Sequence, residues 1–330
     1  IELNPNLSEA YNNLGLALKN IGKKNESIEY FIKALNYDAK NTLACENLIK
    51  VLTTVKHNKN QDNKYIYVNS ELQKLKFNFD LNERITDETI KITFEKANKI
   101  VNKELENIIF KSDQIYRRND KDLSCKRHKK IFNDDNVIPQ NCFGCYKVQV
   151  EPRSVLELIK LFVVFDQIKL VGNNTRKCMI ELRSQIPGFY KGLIYCSSLE
   201  EACQIADYLE LIVKESIGPE LPVTVKRGCS EYPNSFPEYK EINKSGNQLM
   251  NYNEDWEKIE EDYDSKNPIV TNNITPSLSC LNLSDILIIR NWIDYAKGIG
   301  DPSVHLLNQN TVFSPKIYKT AKTRIEKYPW

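Results

Sequence analysis

The sequence has few glycines and few histidines, and each shortage excludes a common kind of site. None of its 11 glycines forms the G-x-G-x-x-G or G-x-x-x-x-G-K-[ST] pattern with which a backbone cradles phosphates. With 3 histidines, the chain contains no H-E-x-x-H motif, and a histidine-rich metal centre is excluded. Paired-carboxylate motifs and nucleophile elbows are also missing, so the sequence indicates no enzyme class.

Strong net charge and long apolar runs are lacking as well. The net charge of +2 is too small to argue for nucleic acid or an anionic membrane as a partner. No apolar run reaches the roughly 18 residues that a membrane-spanning helix needs. The 9 cysteines are an odd number without the spacing of a small secreted domain, which favours reduced thiols over disulfides. We therefore expect a cytoplasmic protein.

The N-terminal segment carries apolar residues at helical spacing. Between Ser8 and Asn41 the chain reads SEAYNNLGLALKNIGKKNESIEYFIKALNYDAKN, in which two apolar stripes flank a turn at Gly22. This segment resembles one tetratricopeptide repeat (TPR) of about 34 residues. The matching residues are Tyr11, Leu14, Gly15, Leu18, Ser27, Phe31 and Ala34.

The flanking residues extend this resemblance. Ile1–Leu7 looks like the tail of a preceding repeat, and Thr42–Val55 like the first helix of a degraded repeat or cap. Residues 1–55 are thus expected to be the C-terminal end of a TPR array. The resemblance implies a concave groove that binds a peptide or a partner protein. On the first helix, the residues expected to line this groove are Asn12, Asn13, Leu16 and Lys19.

Residues 56–120 are predicted to connect the array to the rest of the chain. His57–Lys64 is polar without an apolar period and is typical of a linker. Thr86–Phe110 has a continuous apolar stripe and predicts a helix, with Thr86 or Asp87 as its N-cap. This helix would cap the array or act as a spacer.

Residues 121–146 contain a cluster of cysteine and histidine. A Cys125-x-x-His128 pair precedes a Cys142-x-x-Cys145 pair. Three thiolates and one imidazole can hold zinc in a closed, tetrahedral, structural site. The sequence therefore predicts zinc as a cofactor here. Two alternatives stay open, namely free thiols beside an incidental histidine and a redox C-x-x-C motif.

Residues 146–230 alternate between strand and helix patterns in the order β-α-β-β-α-β. This order predicts a ferredoxin-like domain with both helices on one face of a four-stranded sheet. The predicted strands are Tyr146–Glu151, Lys177–Arg183, Phe189–Cys196 and Pro222–Gly228. The predicted helices are Arg153–Ile168 and Leu199–Ile217. The opposite sheet face is expected to carry Lys147, Gln149, Lys177, Glu181, Arg183, Thr224 and Lys226.

This topology predicts that cysteines and basic residues meet at one end of the sheet. The cysteines expected there are Cys145, Cys178, Cys196 and Cys229. The flanking basic residues are Arg176, Lys177, Lys226 and Arg227. We interpret this edge as a candidate functional site that binds an anionic ligand or holds reactive thiolates. The alternative is that Cys178 and Cys196 are small core residues.

Residues 231–330 are predicted to form an irregular and partly helical extension that packs on this domain. Asn253–Asp264 predicts an acidic surface helix. Leu283–Lys297 predicts an apolar helix capped by Ser284 and ended by glycines. Ser314–Lys327 predicts a last helix with Pro315 in its first turn.

The predicted fold class is thus α+β, a TPR solenoid fragment followed by a ferredoxin-like domain with a Cys/His insertion. Three function classes follow. A scaffold for protein–protein interaction is favoured, with the TPR groove recruiting a protein or peptide. An enzyme with a basic, thiol-rich site at the sheet edge is the alternative. The third is an RNA-binding module, because KGLIYC at Lys191–Cys196 is similar to the third strand of the RNA-recognition motif. That module needs stacking aromatics, for which Tyr195 and Tyr146 are the candidates.

Overall fold

A computed structural model describes residues 7–56, 63–75, 80–105, 108, 110–267, 274–307 and 314–328. The N-terminal part is a stack of helices. These are α1 (Ser8–Asn20), α2 (Lys24–Tyr37), α3 (Thr42–Val51), α4 (Lys64–Lys74) and α5 (Asp87–Glu104). The first two pack closely because Gly15 of α1 lies against the Phe31 ring, where an added Cβ would approach Cε1 within 2.7 Å. The Ser8 hydroxyl donates to the Ala34 carbonyl over 2.8 Å and closes this pair.

The predicted connecting region is more ordered than the sequence suggested. Helix α4 was not predicted, and most of the predicted linker lies outside the described residues. Helix α5 begins as predicted, since the backbone N–H of Thr89 donates to the Thr86 hydroxyl over 3.1 Å. It ends at Glu104, earlier than predicted.

A five-stranded antiparallel sheet forms the centre of the molecule. Its strands are β1 (Gln114–Arg117), β2 (Tyr146–Val150), β3 (Arg176–Ile180), β4 (Tyr190–Cys196) and β5 (Val223–Arg227). Their order across the sheet is β1-β3-β4-β2-β5. The last four strands confirm the predicted strands to within a few residues. Strand β1 was missed, because its four residues lie inside the predicted spacer.

Two helices cover one face of this sheet, which is called the helix face below. They are α8 (Val155–Gln167) and α9 (Leu199–Ser216). Each begins at a serine whose hydroxyl accepts from a backbone N–H three residues later, Ser154 from Glu157 and Ser198 from Glu201. Apolar strand side chains point toward these helices, and one of them, Val148, is fully buried. The apolar core extends without interruption from this sheet into the TPR helices.

The region between strand β1 and strand β2, together with the chain after β5, forms a smaller second core. It includes α6 (Cys125–Asp135), α7 (Gln140–Phe143) and α10 (Glu257–Lys266). The acidic helix predicted over Asn253–Asp264 corresponds to a 3-10 turn followed by α10. The residues buried in this second core are Ile138, Cys142, Tyr232 and Tyr239.

The C-terminal helices are part of the main core rather than an appended tail. They are α11 (Leu283–Ile299), α12 (Val304–Leu307) and α13 (Pro315–Lys327). Asn282 caps α11 instead of Ser284, because its side chain and that of Asp285 exchange hydrogen bonds with each other's backbone N–H. Gly300 ends the helix with φ +80°, as predicted. Gly298 lies inside the helix, where a Cβ would meet the Ala321 Cβ of α13 at 2.5 Å.

No helix among the described residues is long and apolar enough to cross a membrane.

Candidate functional site

The TPR helices bring only part of the predicted groove to the surface. Asn13 and Leu16 of α1 are exposed. Asn12 is buried, and its side-chain oxygen accepts from the Asn47 amide of α3 over 2.9 Å. Asn12 therefore holds the two helices side by side. Lys19 is half-buried, and burial lowers its pKa, with Lys50 adding to the shift.

Of the four predicted zinc ligands, Cys125, Cys142 and Cys145 lie close enough to affect one another's pKa. Cys125 is exposed at the start of α6, while Cys142 is buried with its thiol 3.2 Å from the Tyr232 hydroxyl. His128 points elsewhere and lines an acidic cavity of about 260 Å³ together with Glu260. Among the described residues, no group of three or more Cys, His, Asp or Glu side chains is arranged to hold a metal ion.

Burial shifts the pKa of the thiols in this cluster away from that of a reactive cysteine. Burial raises the pKa of Cys125, Cys142 and Cys145. For Cys142, a hydrogen bond with Tyr232 offsets only part of that effect. An activated thiolate requires the opposite shift, so these three residues do not have the environment of a reactive cysteine.

The predicted gathering of four cysteines at one sheet end is wrong for Cys178. Cys196 pairs with Tyr146, the residue next to Cys145. Cys178 pairs instead with Gly192, four residues further along β4. Strand register explains this displacement of Cys178. Strand β3 begins with Arg176 opposite Ile194, whereas β4 continues beyond Ile194 to Cys196. Both Cys178 and Cys196 point into the core, as the alternative interpretation predicted.

The basic residues of the predicted edge divide between the two faces of the sheet. Arg176 and Arg227 lie on the helix face. Arg176 donates to the Ile168 carbonyl over 2.7 Å, and Arg227 donates to the Met250 carbonyl over 2.8 Å. Lys177 and Lys226 alternate to the other side, which is called the open face below.

The aromatic residues suggested for RNA stacking divide in the same way. Tyr146 packs in the main core on the helix face. Tyr195 lies on the open face and is half-buried. The open face therefore lacks one of the two aromatic candidates for the RNA-binding interpretation.

One lysine of the open face, Lys147 on β2, is buried, which the sequence did not predict. Lys147 is 6% exposed, and its Nζ donates to the Gly228 carbonyl over 2.8 Å. The same Nζ lies 3.7 Å from the Cys229 sulfur and 5.0 Å from the centre of the Tyr195 ring. In the sequence, Lys147 stands in the alternating segment YKVQV. A lysine in such a segment is equally typical of a strand with one solvent-exposed face, so the sequence does not predict its burial.

A second feature missed by the sequence analysis is a buried charge cluster on the helix face. Arg117 of β1 donates to Asp166 of α8 and, over 3.0 Å, to Asp285 of α11. It also donates to the Cys280 carbonyl over 3.0 Å and lies 4.9 Å from the centre of the Phe162 ring. Since β1 was not predicted, the sequence offered no reason to place Arg117 in the core.

Comparison with known proteins identifies one segment. Residues 8–41 match the family model of the tetratricopeptide repeat, which confirms the resemblance carried by Tyr11, Gly15 and Phe31. No curated protein and no solved structure is measurably similar to the chain. Residues 8–41 are therefore a tetratricopeptide repeat, and this repeat indicates a role in protein–protein interaction.

Proposed function

We propose that this protein is an interaction scaffold that holds a peptide partner against the α1 and α3 surface. The observation that carries the proposal is the side-by-side placement of these helices through the Asn12–Asn47 hydrogen bond. It leaves Asn13 and Leu16 exposed on α1. An exposed amide can hydrogen-bond an extended backbone, and Leu16 offers apolar contact, which together suit a peptide ligand.

The repeat is joined firmly to the rest of the molecule, which supports a scaffold rather than a tethered module. The backbone N–H of Leu278 donates to the Thr53 carbonyl over 3.0 Å. The N–H of Leu283 at the start of α11 donates to the Asn69 side chain of α4 over 2.9 Å. A partner bound on α1 would therefore keep a fixed position relative to the sheet.

The sheet supports the finer proposal of a ferredoxin-like domain. Strands β2 to β5 lie in the order β3-β4-β2-β5 and are antiparallel throughout. Helices α8 and α9 connect the first to the second and the third to the fourth of these strands. Strand β1 adds a fifth strand beside β3.

The partner proposal is tested by selecting binders from short random peptides displayed on phage, with the whole chain as bait. Selected peptides should bind in solution, and a double Asn13→Ala, Leu16→Glu variant should bind them about tenfold more weakly or worse. Leu211→Glu is the matched control, because Leu211 is an exposed leucine on α9. Equal binding by the two variants, or no enriched peptide, would overturn the proposal.

Zinc at Cys125, His128, Cys142 and Cys145 stays a prediction from the sequence. Its test is metal analysis of the purified protein together with a Cys142→Ser variant. Close to one zinc per chain, lost in that variant along with thermal stability, would support the site because metal binding and folding are coupled. Metal-free protein with an unchanged melt in the variant would exclude it.

An enzyme remains the second candidate because of one contact, the 3.7 Å between Lys147 Nζ and the Cys229 sulfur. An adjacent ammonium group stabilises a thiolate and favours nucleophilic chemistry. Iodoacetamide should then alkylate Cys229 faster than Cys203, which lies within α9 and is similarly half-buried. Equal rates would remove the support for this candidate.

A further inference from the structure

Strand register places Lys147 and Lys226 side by side on the open face, and Lys177 two strands away from Lys147, opposite Leu193. Lys147 of β2 pairs with Lys226 of β5 on one side and with Tyr195 of β4 on the other. Lys177 of β3 lies on the same face, next to Tyr116 of β1. Because neighbouring strands are about 4.8 Å apart, the row from Lys226 to Tyr195 spans only about 10 Å.

The contacts of these lysines are neutral. Lys226 Nζ lies 2.6 Å from the Ser230 hydroxyl, and Lys177 Nζ lies 3.4 Å from the Gln114 side-chain oxygen. Lys147 contacts the carbonyl and thiol described above. Within the described part of the chain, none of the three lysines forms an ion pair with a carboxylate.

The nearby carboxylates are already engaged. Glu181 binds Lys191 over 3.0 Å and Arg183 over 2.7 Å. Glu231 forms an ion pair with Arg183. Asp113 is close enough to Lys177 to interact electrostatically, but burial raises its pKa overall. Glu181 and Glu231 are thus neutralised by other cations, while Asp113 contributes a more distant attraction to Lys177.

An unpaired, buried cation is energetically costly, and like charges nearby add to the cost. Lys147 is nearly inaccessible. Burial, and then the charges of Lys147 and Lys191, lower the pKa of Lys226 to about 8. The charges of Lys147 and Lys191 thus repel that of Lys226, and an anion that enters between the lysines replaces this repulsion by attraction.

We propose that the open face binds a small phosphate-bearing ligand, with its phosphate between Lys147, Lys177 and Lys226. Tyr195 forms one wall of this site, since its ring lies 5.0 Å from Lys147 Nζ and 6.0 Å from Lys177 Nζ. Lys177, Lys226 and Tyr195 are half-buried, so solvent reaches the site. Lysine is a common phosphate ligand because its ammonium acts as a point charge.

A small anion fits this site better than RNA. RNA-binding faces of this kind stack successive bases on several aromatic rings. Here Tyr146 faces the opposite side of the sheet, and Lys177 and Leu193 lie between Tyr195 and the other tyrosine of this face, Tyr116. Lys147 and Lys226 are register partners on strands about 4.8 Å apart, a spacing that matches one phosphate group.

Inorganic pyrophosphate is the probe, titrated into the whole chain by calorimetry at low salt. Wild type should bind with measurable heat, and Lys177→Met and Lys226→Met should each bind about tenfold more weakly, as expected for one lost charge-assisted hydrogen bond. Lys214→Met is the control, because Lys214 is exposed on α9, and it should bind like wild type. Circular dichroism confirms that each variant is folded.

Three results would overturn the proposal. One is the absence of binding at millimolar pyrophosphate. Another is equal affinity in all variants, which would indicate nonspecific ion binding. The third is tight binding of single-stranded RNA that pyrophosphate does not displace, which would assign the face to nucleic acid. None of these outcomes bears on the peptide surface of α1, so the two proposals fail independently.

Discussion

Two buried cations on opposite faces of the central sheet have opposite surroundings. On the helix face, Arg117 is enclosed by two carboxylates, Asp166 and Asp285, and these interactions raise its pKa against the effect of burial. On the open face, Lys147 is buried almost as deeply but meets only a carbonyl, a thiol and an aromatic ring. The charge of Arg117 is thus neutralised by two carboxylates within the protein, whereas the charge of Lys147 would be neutralised by an added anion.

This difference separates a structural role from a binding role. A buried ion pair that satisfies its own charges contributes to a unique fold and offers nothing to a ligand. A face with surplus charge is less stable alone and gains stability when a ligand neutralises it. Variants of Arg117 and of Lys226 should therefore differ in the sign of their effect on stability.

The largest loss is expected for Arg117→Met on the helix face. The substitution keeps most of the side-chain volume but leaves Asp166 and Asp285 buried without their cation. We expect a loss of about 3–5 kcal/mol in the free energy of unfolding, measured with urea.

Arg118→Met is the matched control, because Arg118 is the adjacent residue and is exposed. It should change stability by no more than about 0.5 kcal/mol. A loss below about 1 kcal/mol in Arg117→Met would show that the cluster does not hold the helix face together.

A smaller, pH-dependent loss is expected at Glu181, the one fully buried acid of the open face. Burial alone would raise its pKa, but the hydrogen bonds and charges of Arg183 and Lys191 outweigh it and lower the pKa to about 2. Since the folded pKa is below the unfolded value near 4.5, its contribution is present above pH 4.5 and is lost as the pH falls toward 2.

Glu181→Gln should therefore remove on the order of 3 kcal/mol of the acid-induced loss of stability, because one pKa unit corresponds to about 1.4 kcal/mol. The measurement is urea unfolding at a series of pH values between 2 and 6. Glu220→Gln is the control, since Glu220 is exposed. An unchanged pH profile in Glu181→Gln would contradict the ion-pair network.

The sequence predicted the elements of this sheet well and its charged contacts poorly. Strands β2 to β5 and helices α8 and α9 have local signals, namely alternation, apolar stripes and serine caps at Ser154 and Ser198. These signals depend on neighbours within a few residues. The TPR was predictable for the same reason, because its pattern is contained in 34 residues.

The contacts that make the sites depend on pairings between distant parts of the chain. Arg117 meets Asp285 across 168 positions, and Cys178 was misplaced because hairpin register is not visible in strand patterns. The Cys/His spacing suggested a zinc site, yet spacing alone does not say where His128 points. Lys147 was predicted on the correct face, but its burial follows from packing of α6 and the chain after β5 in three dimensions.

The smallest effect, and the one with the opposite sign, is expected for Lys226→Met on the open face. Its folded pKa of about 8 lies below the ordinary value of 10.5 because of burial and then the nearby charges of Lys147 and Lys191. The folded state thus carries a penalty that is fully present below pH 8 and disappears as the pH rises toward 10.5. Removing the charge should raise the stability at pH 7 by about 1 kcal/mol, after discounting for the partial exposure of the side chain.

Urea unfolding of wild type and Lys226→Met between pH 7 and 10.5 tests this expectation. The wild-type stability should rise over that range relative to the variant, so that the two curves converge at high pH. Lys214→Met, which removes an exposed lysine, should follow wild type throughout. Added pyrophosphate should stabilise wild type at pH 7 and reverse the order of the two proteins, because an anion turns the repulsion among the lysines into attraction. If Lys226→Met is less stable than wild type at pH 7 without any anion, Lys226 supports the fold as Arg117 does, and the two residues do not differ in the way described.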